Sequence, residues 1–407
     1  MQPGGSRERQ RSRNANRCTL PNPPRGTPVS GALRGVRVLE LGQLVAGPFA
    51  GTMLAWLGAS VLKVEPPGGD PIRTWRTMRD GTSLWWRTLA RNKHVTRLDL
   101  RTEAGRSRVR ALADDADVLI ENFRPGRMED WGLGPTELAR TNPGLVMCRV
   151  SGYGQDGPLA GRPGYASVAE AAGGLRHLTG TLEGQAVRPN LSLGDTIAGL
   201  HGAVGILAAL LHRERGGRGQ VVDVSLLECV VDLLEAALPE AAVGVERGPS
   251  GGNITGVAPS GAWTCLDGGE VVIGANGEAI FARLCRAMGK PELARDPRLT
   301  GNPARVANRT MLDGLIADWT ATLPVTEVVA RLAEAGVPCG PVQSPTDLLR
   351  DPQLRARGMF CEVLVGGTRM ELPELAPRLA DTPGRTRWAG GAAVPVDEAA
   401  AAWLEAD

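Results

Sequence analysis

The sequence predicts an α/β protein with a large doubly wound region around a parallel sheet and a smaller α+β domain after it. A strand–loop–helix–strand unit opens the body of the chain at residues 35–65. Pairs of helix and strand then recur as far as residue 226, which is the pattern of a parallel sheet covered by helices. After Val243 the pattern changes to segments rich in Gly, Pro and Ser.

The first unit begins with the apolar, β-branched run 35–41, which is typical of a strand. A loop at 46–48 follows, and residues 49–57 predict a helix that ends at Gly58. The second strand covers 59–65 and stops at two prolines. Because open α/β sheets bind ligands beyond the carboxyl ends of their strands, the first loop is a candidate binding segment.

The same alternation predicts the remaining elements of the large region. Each predicted strand is a short apolar run, and each follows a segment with helical periodicity. In chain order these are helix 103–113, strand 117–121, helix 135–141, strand 145–151, helix 195–213 and strand 221–226.

Residues 261–275 alternate like an antiparallel hairpin around Asp267-Gly268-Gly269. Helices follow this hairpin, and the final segment has mixed character. The predicted organisation is therefore a tail at 1–30, a large doubly wound domain at 31–240, a small α+β domain at 241–340, and a C-terminal segment, 341–407, that returns to the large domain.

Composition excludes several classes of protein. The 407 residues are 42% hydrophobic and carry a formal net charge of +2, which excludes a mostly disordered chain and gives no basis for nucleic-acid binding. Seven cysteines lie scattered without a C-x-x-C pair, so neither a disulfide framework nor a metal site is expected. No uncharged apolar run reaches the roughly 18 residues of a membrane span, so no membrane partner is expected.

Residues 1–30 are Arg-rich and hold almost no aliphatic side chains. Such a segment buries too little apolar surface to fold, so we expect a disordered basic tail. A transit peptide is the alternative, but the segment lacks the apolar face of an amphipathic helix. The expected location is the cytoplasm, or the mitochondrion if the tail is a transit peptide.

Asp195 stands at the start of the long predicted helix and is flanked by Gly194. One interpretation is an N-cap, because Asp accepts hydrogen bonds from the first N–H groups of a helix. The other is a carboxylate nucleophile, kept ionised by the helix N-terminus, with Gly194 allowing close approach of an acyl group. The residues alone leave both open.

Three loops are further candidates. The loop at 121–126 holds an Asn and an Arg that could bind a phosphate or an adenine edge, or it is an ordinary strand exit. The Gly-rich turn 151–158 could form an oxyanion hole, or it is only a turn. The loop 251–256 is either a mobile lid over a site or a linker.

Taken in order, these residues resemble the family III CoA-transferases, of the carnitine and formyl-CoA transferase type. The resemblance extends from about residue 33 to about 390. The segments that carry it are Val45-Ala46-Gly47-Pro48, Gly58-Ala59, Lys63-Val64-Glu65, Arg91-Asn92-Lys93, Asn122-Phe123-Arg124-Pro125-Gly126, Ser151-Gly152-Tyr153-Gly154-Gln155, Gly194-Asp195 and Gly217-Arg218-Gly219-Gln220.

The resemblance implies a Rossmann-like large domain with a parallel sheet, a smaller domain, and an interlocked homodimer. It implies that Asp195 is the catalytic residue and that the chain has no permanently bound cofactor, since a coenzyme A thioester is its substrate. The implied CoA contacts are Val45, Ala46, Leu98, Asp99, Arg101, Asn122, Phe123, Arg124, Ser151, Gly152 and Tyr153.

The implied reaction moves CoA from an acyl-CoA donor, expected to be succinyl-CoA, to a small carboxylic acid through an aspartyl-CoA thioester on Asp195. Similarity to members that use dicarboxylic acids favours a dicarboxylate acceptor, which would need a cation for its distal carboxylate. Candidates are Arg73, Arg76, Arg79 and Arg91.

Two alternatives stay open at this point. An α-methylacyl-CoA racemase would need a second acid/base residue, and that branch has a Gly-His-Asp motif where this chain reads Gly164-Tyr165-Ala166. A non-catalytic CoA-binding protein is the other alternative, which the presence of Asp195 disfavours.

Overall fold

The computed structural model describes residues 31–181, 183–365 and 367–405. The tail expected at 1–30 lies outside these residues. The strands are β1 (Arg37–Glu40), β2 (Ser60–Glu65), β3 (Met78–Arg79), β4 (Thr82–Ser83), β5 (Lys93–Arg97), β6 (Val118–Glu121), β7 (Val146–Ser151), β8 (Val221–Ser225), β9 (Ser260–Thr264), β10 (Glu270–Gly274), β11 (Cys339–Pro341), β12 (Phe360–Val365) and β13 (Thr368–Pro373).

The α-helices are α1 (Ala46–Trp56), α2 (Leu84–Leu89), α3 (Glu103–Asp114), α4 (Arg127–Asp130), α5 (Pro135–Leu138), α6 (Ala166–Ala172), α7 (Leu175–Leu178), α8 (Leu193–Glu214), α9 (Leu226–Val231), α10 (Ala237–Ala242), α11 (Glu278–Ala287), α12 (Asn302–Ala307), α13 (Arg309–Thr320), α14 (Val325–Glu334), α15 (Pro345–Leu348), α16 (Pro352–Ala356) and α17 (Val396–Glu405). Short 3-10 turns occupy Pro71–Thr74, Asp232–Leu234 and Pro291–Arg295.

The chain divides into two compact units. In the described residues, the first unit takes in the chain as far as Gly173, then Pro189–Leu233, then everything from Arg350 onward. The second unit comprises Gly174–Arg188 and Leu234–Leu349.

Within the described part of the first unit, six strands form one parallel sheet in the order β5-β2-β1-β6-β7-β8. The predicted parallel α/β architecture is therefore confirmed. Strands β2, β6 and β7 are buried along their whole length, which explains why consecutive residues such as Leu119 and Ile120 of β6 are both apolar.

Helices cover both faces of this sheet, and alternate strand residues point into two separate cores. Val38, Val61 and Val146 belong to the core that α1 and α8 cover. Leu39, Leu62 and Met147 belong to the other core, with residues of α3 and α17. The C-terminal segment is tied to the sheet, because Trp403 Nε1 donates to Ser60 O at 3.0 Å and Ser60 Oγ donates to Trp403 O at 2.8 Å.

Several predicted boundaries differ from the structure. Helix α1 begins at Ala46, whereas its first residues were expected to form a loop. Pro48 is accommodated because the first N–H groups of a helix have no partner within the helix. The helix predicted at 135–141 ends at Leu138, three residues earlier than expected. Strand β5, Lys93–Arg97, was not predicted at all.

The second unit contains the predicted hairpin. Strands β9 and β10 pair antiparallel, with Thr264 opposite Glu270, and β11 extends them to a sheet in the order β11-β10-β9. Helices α11, α13 and α14 pack on it through a core that includes Phe281, Leu312 and Val328.

Among the helices of the described residues, only α8 is long and apolar enough to cross a membrane, and half of its most apolar stretch is buried inside the protein. A buried core helix meets the same criteria of length and composition, so this is weak evidence of a span.

Candidate active site

The loops predicted to bind CoA lie along one edge of the large sheet. Strands β1, β5, β6 and β7 run parallel, and the segments that follow them begin at Leu41, Leu98, Asn122 and Gly152. Because the carboxyl ends of parallel strands meet at the same edge, the structure brings these four predicted segments together.

Val45 and Ala46 connect β1 to α1. Val45 immediately precedes the helix and Ala46 is its first residue, and both are almost fully buried. A Cβ added at Gly199 of α8 would lie 2.8 Å from the carbonyl oxygen of Ala46, so α8 crosses α1 in close contact at this point. What the two residues can offer a ligand is therefore mainly backbone and a closely packed surface.

The predicted segment Asn122–Arg124 combines three different roles. The side-chain amide of Asn122 is used within the protein, because it accepts from Gln43 N at 2.8 Å and donates to Gln43 O at 2.7 Å. Phe123 packs edge-to-face on Trp131, with ring centroids 5.1 Å apart. Arg124 is exposed at the sheet edge, which leaves its guanidinium accessible to a phosphate.

Leu98, Asp99 and Arg101 form the turn between β5 and α3. Leu98 is half-buried, and its N–H donates to Glu65 O at 2.9 Å. Arg101 binds Asp99 through two side-chain hydrogen bonds of 2.8 Å, which hold the pKa of Asp99 below its usual value. A phosphate that used Arg101 would therefore compete with Asp99 for the guanidinium.

Ser151, Gly152 and Tyr153 follow β7 in a tight turn. Ser151 Oγ accepts from Gly154 N at 2.9 Å, and Gly154 has a positive φ of 91° that favours glycine. A Cβ at Gly152 would lie 2.9 Å from the Cα of Gly164, so glycine is required here for close packing. The segment is an ordered turn, and its role as an oxyanion hole stays a prediction.

Asp195 lies in the first turn of α8, at the third helical position after the N-cap residue Ser192. The N-cap interpretation of Asp195 is therefore wrong, because the helix begins two residues earlier than predicted. The space next to Gly194 is also filled by the protein: a Cβ there would lie 3.3 Å from Ala166 O. Gly194 thus permits close packing of α8 on α6, which corrects its expected role of admitting an acyl group.

Glu170 is a residue of this region that the sequence interpretation missed. It is fully buried on α6, and its Oε1 accepts from Gly194 N at 3.2 Å. It is the one charged residue between positions 166 and 175, in a run of small and apolar side chains. A lone charge in such a run was the available signal, since buried charges occur where they have specific partners.

The four arginines considered for a distal carboxylate have different environments. Arg91 is fully buried and donates to Thr88 O and Thr386 Oγ1, so it supports the fold and is removed from the candidates. Arg73 is bound by Glu65 at 2.7 Å and lies over the Trp86 ring.

Arg76 and Arg79 are both exposed. The guanidinium of Arg76 lies 4.0 Å from the centroid of the Trp85 ring, and the backbone of Arg76 has a positive φ of 59°. Stacking fixes a guanidinium in a plane and leaves its edge N–H groups directed outward. Arg76 is therefore the best placed of the four for a carboxylate.

In the second unit, the loop 251–256 is attached to two helices by side chains. Asn302 Nδ2 donates to Gly256 O at 2.8 Å, and Arg309 Nη2 donates to Ile254 O at 3.0 Å. These bonds give the loop a defined backbone course, and both the lid and the linker interpretation stay predictions. A catalytic role for this loop stays a prediction.

Within the described ranges, no group of three His, Cys, Asp or Glu side chains is arranged to hold a metal ion. The cysteines in those ranges are unpaired, and Cys18 lies outside them. Burial raises the pKa of Cys148 well above its ordinary value, which makes it an unreactive core side chain.

Residues 33–392 match the family model described as CoA-transferase family III. Over 366 residues the chain is 45% identical to a succinyl-CoA–D-citramalate CoA-transferase of Chloroflexus aurantiacus, and the match covers 88% of this chain and 90% of that protein. It is 37% identical over 343 residues to a succinyl-CoA:mesaconate CoA-transferase of Haloarcula hispanica, covering 82% and 86%.

The chain is also similar to a solved structure. The crystal structure of a CAIB/BAIF family protein from Brucella suis superposes with a TM-score of 0.81 at 33% sequence identity. That match covers 93% of this chain and all of the Brucella protein.

Proposed function

The chain belongs to CoA-transferase family III, and we propose that it moves CoA from succinyl-CoA to a small dicarboxylic acid through a thioester on Asp195. The position of Asp195 in the first turn of a 22-residue helix carries the proposal. The N–H groups and the dipole of a helix N-terminus favour an anion. The ionised form of the carboxylate is the nucleophile.

The reaction proceeds by four acyl transfers. Asp195 attacks the thioester carbonyl of succinyl-CoA and expels CoA thiolate, which leaves a mixed anhydride. The thiolate attacks the aspartyl carbonyl, releasing succinate and forming the aspartyl-CoA thioester. The acceptor carboxylate attacks this thioester and expels the thiolate again. The thiolate then attacks the acceptor carbonyl of the second anhydride, which gives the new acyl-CoA and frees Asp195.

The CoA-binding segments are proposed to be those at the carboxyl edge of the sheet. Val45 and Ala46 lie beside α8, where Ala46 contacts Gly199, four residues after Asp195 in the helix. Arg124 is exposed at the same edge and is suited to a phosphate oxygen. Asn122 supports the site by fixing Gln43, so its contribution to CoA is indirect.

The acceptor is proposed from two observations. The relatives named above act with succinyl-CoA on citramalate and mesaconate, which are dicarboxylic acids. In this chain, Arg76 presents a guanidinium stacked on Trp85. A stacked, planar guanidinium can bind a distal carboxylate through two parallel hydrogen bonds.

The covalent intermediate is tested by intact-protein mass spectrometry after brief incubation with succinyl-CoA. We expect wild type to gain the mass of CoA minus water, labile to hydroxylamine, and Asp195→Ala to gain nothing. Glu214→Ala, an exposed carboxylate at the other end of α8, is the matched control and should behave as wild type. An adduct that persists in Asp195→Ala would refute the proposed nucleophile.

The acceptor is tested by steady-state rates with citramalate, malate, mesaconate and glutarate beside monocarboxylates of equal chain length. Arg76→Gln should raise the KM for the dicarboxylate at least tenfold, while Arg79→Gln, a nearby exposed arginine, should leave it within twofold. Equal rates with mono- and dicarboxylates, or equal effects of the two variants, would count against the dicarboxylate proposal.

A homodimer is also part of the proposal. One face of α8 leaves Leu200, Val204 and Leu211 exposed at spacings of four and seven residues, although the opposite face is core. An exposed apolar stripe of this kind is suited to a second copy of the chain. Light scattering coupled to gel filtration should give twice the chain mass of 42.8 kDa. The Val204→Glu variant should lower the measured mass toward that of a single chain.

A further inference from the structure

A buried network of four charged side chains lies beneath the loop that joins β1 to α1. Lys63 Nζ is 3.1 Å from Glu40 Oε1 and 3.0 Å from Asp70 Oδ2. Lys93 Nζ is 2.6 Å from Glu40 Oε2. All four side chains are almost completely buried, and two ammonium groups balance two carboxylates.

One ammonium group holds the start of the loop, and the other holds the first turn of α1, which follows the loop. Lys63 Nζ donates to Gly42 O at 2.7 Å, and Lys93 Nζ donates to Pro48 O, also at 2.7 Å. The two lysines come from different strands, β2 and β5, and share Glu40 of β1. The distance between the start of the loop and the first turn of α1 is therefore set by the network.

The middle of the loop is held by the network's second carboxylate. Asp70 Oδ1 accepts from Leu44 N at 3.1 Å. Leu44 has a positive φ of 63°, a conformation that leucine rarely adopts and that costs energy. The hydrogen bond to Asp70, together with that of Asn122 to Gln43, holds the backbone in this conformation.

Stability alone does not account for so many buried charges. Replacing a buried ion cluster by apolar side chains of similar volume is often neutral or stabilising, because desolvation offsets the attraction. The cluster instead fixes the backbone, because its side chains form hydrogen bonds with the backbone groups of Gly42, Leu44 and Pro48. These groups flank Val45 and Ala46.

We propose that Glu40, Lys63, Asp70 and Lys93 are positioning residues for CoA, which hold the β1–α1 loop in its binding conformation before the substrate arrives. The inference rests on the proposed function in so far as Val45 and Ala46 contact CoA. A loop fixed in advance does not have to be ordered on binding, so affinity is higher. Weakening the network should therefore weaken CoA binding and leave the chemistry on Asp195 largely intact.

The test uses the double variant Lys63→Met/Asp70→Ala, which removes one charge of each sign together with the acceptor for Leu44 N and leaves the Glu40–Lys93 pair balanced. Asp70→Ala alone is the second variant, in case the double variant does not fold. Arg213→Met/Asp117→Asn is the matched control, since this ion pair, at 2.9 Å, lies at the amino end of the sheet. Calorimetric titration with free CoA, hydrogen exchange of residues 42–48 and kinetics with succinyl-CoA are measured for each.

We expect the first two variants to exchange faster at 42–48, to bind CoA at least tenfold more weakly, and to raise the KM for succinyl-CoA with kcat within threefold of wild type. The control should bind CoA within twofold of wild type. Unchanged exchange at 42–48, or faster exchange with unchanged CoA affinity, would overturn the inference.

The outcome is separable from that of the proposed function. A wild type that binds CoA but forms no aspartyl adduct would refute the chemistry on Asp195, while affinity and exchange would still decide the role of the network. A wild type with no measurable affinity for CoA would overturn both.

Discussion

The buried carboxylate of Glu170 on α6 accepts a hydrogen bond from the backbone N–H of Gly194 on α8, with 3.2 Å between oxygen and nitrogen. Gly194 immediately precedes Asp195 in the first turn of the helix. Glu170 therefore binds one of the N–H groups that a helix leaves without an internal partner. Glu170 thereby fixes the first turn of α8, which contains the proposed nucleophile Asp195.

Removing this carboxylate should affect stability and catalysis together. We expect Glu170→Ala to cost about 1.5–3 kcal/mol of unfolding free energy, since a buried hydrogen bond to a charged group is lost, and to slow formation of the aspartyl adduct. Glu170→Gln keeps an acceptor and should recover most of both. Chemical denaturation and the mass assay measure the two effects, and full activity in Glu170→Ala would exclude a positioning role.

The crossing of α1 and α8 depends on glycine at position 199. A Cβ there would lie 2.8 Å from Ala46 O and 3.0 Å from Phe49 Cβ, which is closer than such contacts allow. We expect Gly199→Ala to destabilise the protein by about 1–3 kcal/mol, as overpacking of a core does.

The contrasting substitution is Gly314→Ala. Gly314 lies inside α13 with no atom within 4 Å of an added Cβ, so alanine should stabilise the helix by about 0.5–1 kcal/mol. Thermal unfolding measures the change in stability of both variants, Gly199→Ala and Gly314→Ala. A Gly199→Ala variant as stable as wild type would show that α1 and α8 can separate slightly without cost.

The order of strands and helices in the large region could be predicted because the buried strands carry apolar runs that are interrupted by helical segments. Strand β5 could not, since Lys93, Thr96 and Arg97 make it look like a surface segment. Lys93 is nevertheless buried, because Glu40 on another strand neutralises it. A partner 53 residues away in the chain leaves no local signal.

The candidate site shows the same limit. The sequence places Asp195 at a helix start, and parallel pairing brings the predicted CoA segments to one edge. It does not show that the amide of Asn122 is used by Gln43, that Arg91 is enclosed by backbone carbonyls, or that Glu170 reaches Gly194. Each of these depends on residues that become neighbours only in the folded chain.

The two buried lysines respond to pH in opposite directions. Burial lowers the pKa of Lys93 to about 8, with Lys63 acting in the same direction and Glu40 opposing it. Burial also acts to lower the pKa of Lys63, but Glu40 and Asp70 outweigh it and raise that pKa above its ordinary value. Lys93 is therefore the first of the pair to lose its proton.

A lowered pKa in the folded state means that the unfolded chain binds the proton more tightly, between about pH 8 and the ordinary lysine value of 10.5. In this window the contribution of Lys93 to stability should grow with pH, by up to about 1.4 kcal/mol per pH unit. The difference in unfolding free energy between wild type and Lys93→Met, measured from pH 7 to 10, isolates this contribution. A difference that is flat or falls above pH 8 would show that Lys93 stays charged.

Arg91 belongs to the fold and not to the acceptor site, for which the sequence made it a candidate. Its guanidinium is buried and donates to Thr88 O and to Thr386 Oγ1, and burial lowers its pKa below the ordinary arginine value. In Arg91→Gln the carbonyl of Thr88 would be left buried without its donor, at a cost of about 1–3 kcal/mol.

We therefore expect Arg91→Gln to lower the melting temperature, while the KM for the dicarboxylate stays within twofold of wild type at a temperature where the variant is folded. Arg79→Gln, an exposed arginine in the same candidate set, should change neither quantity. A tenfold rise in the dicarboxylate KM of Arg91→Gln with an unchanged melting temperature would return Arg91 to the acceptor site. It would also require its buried guanidinium to exchange a backbone carbonyl for the substrate carboxylate.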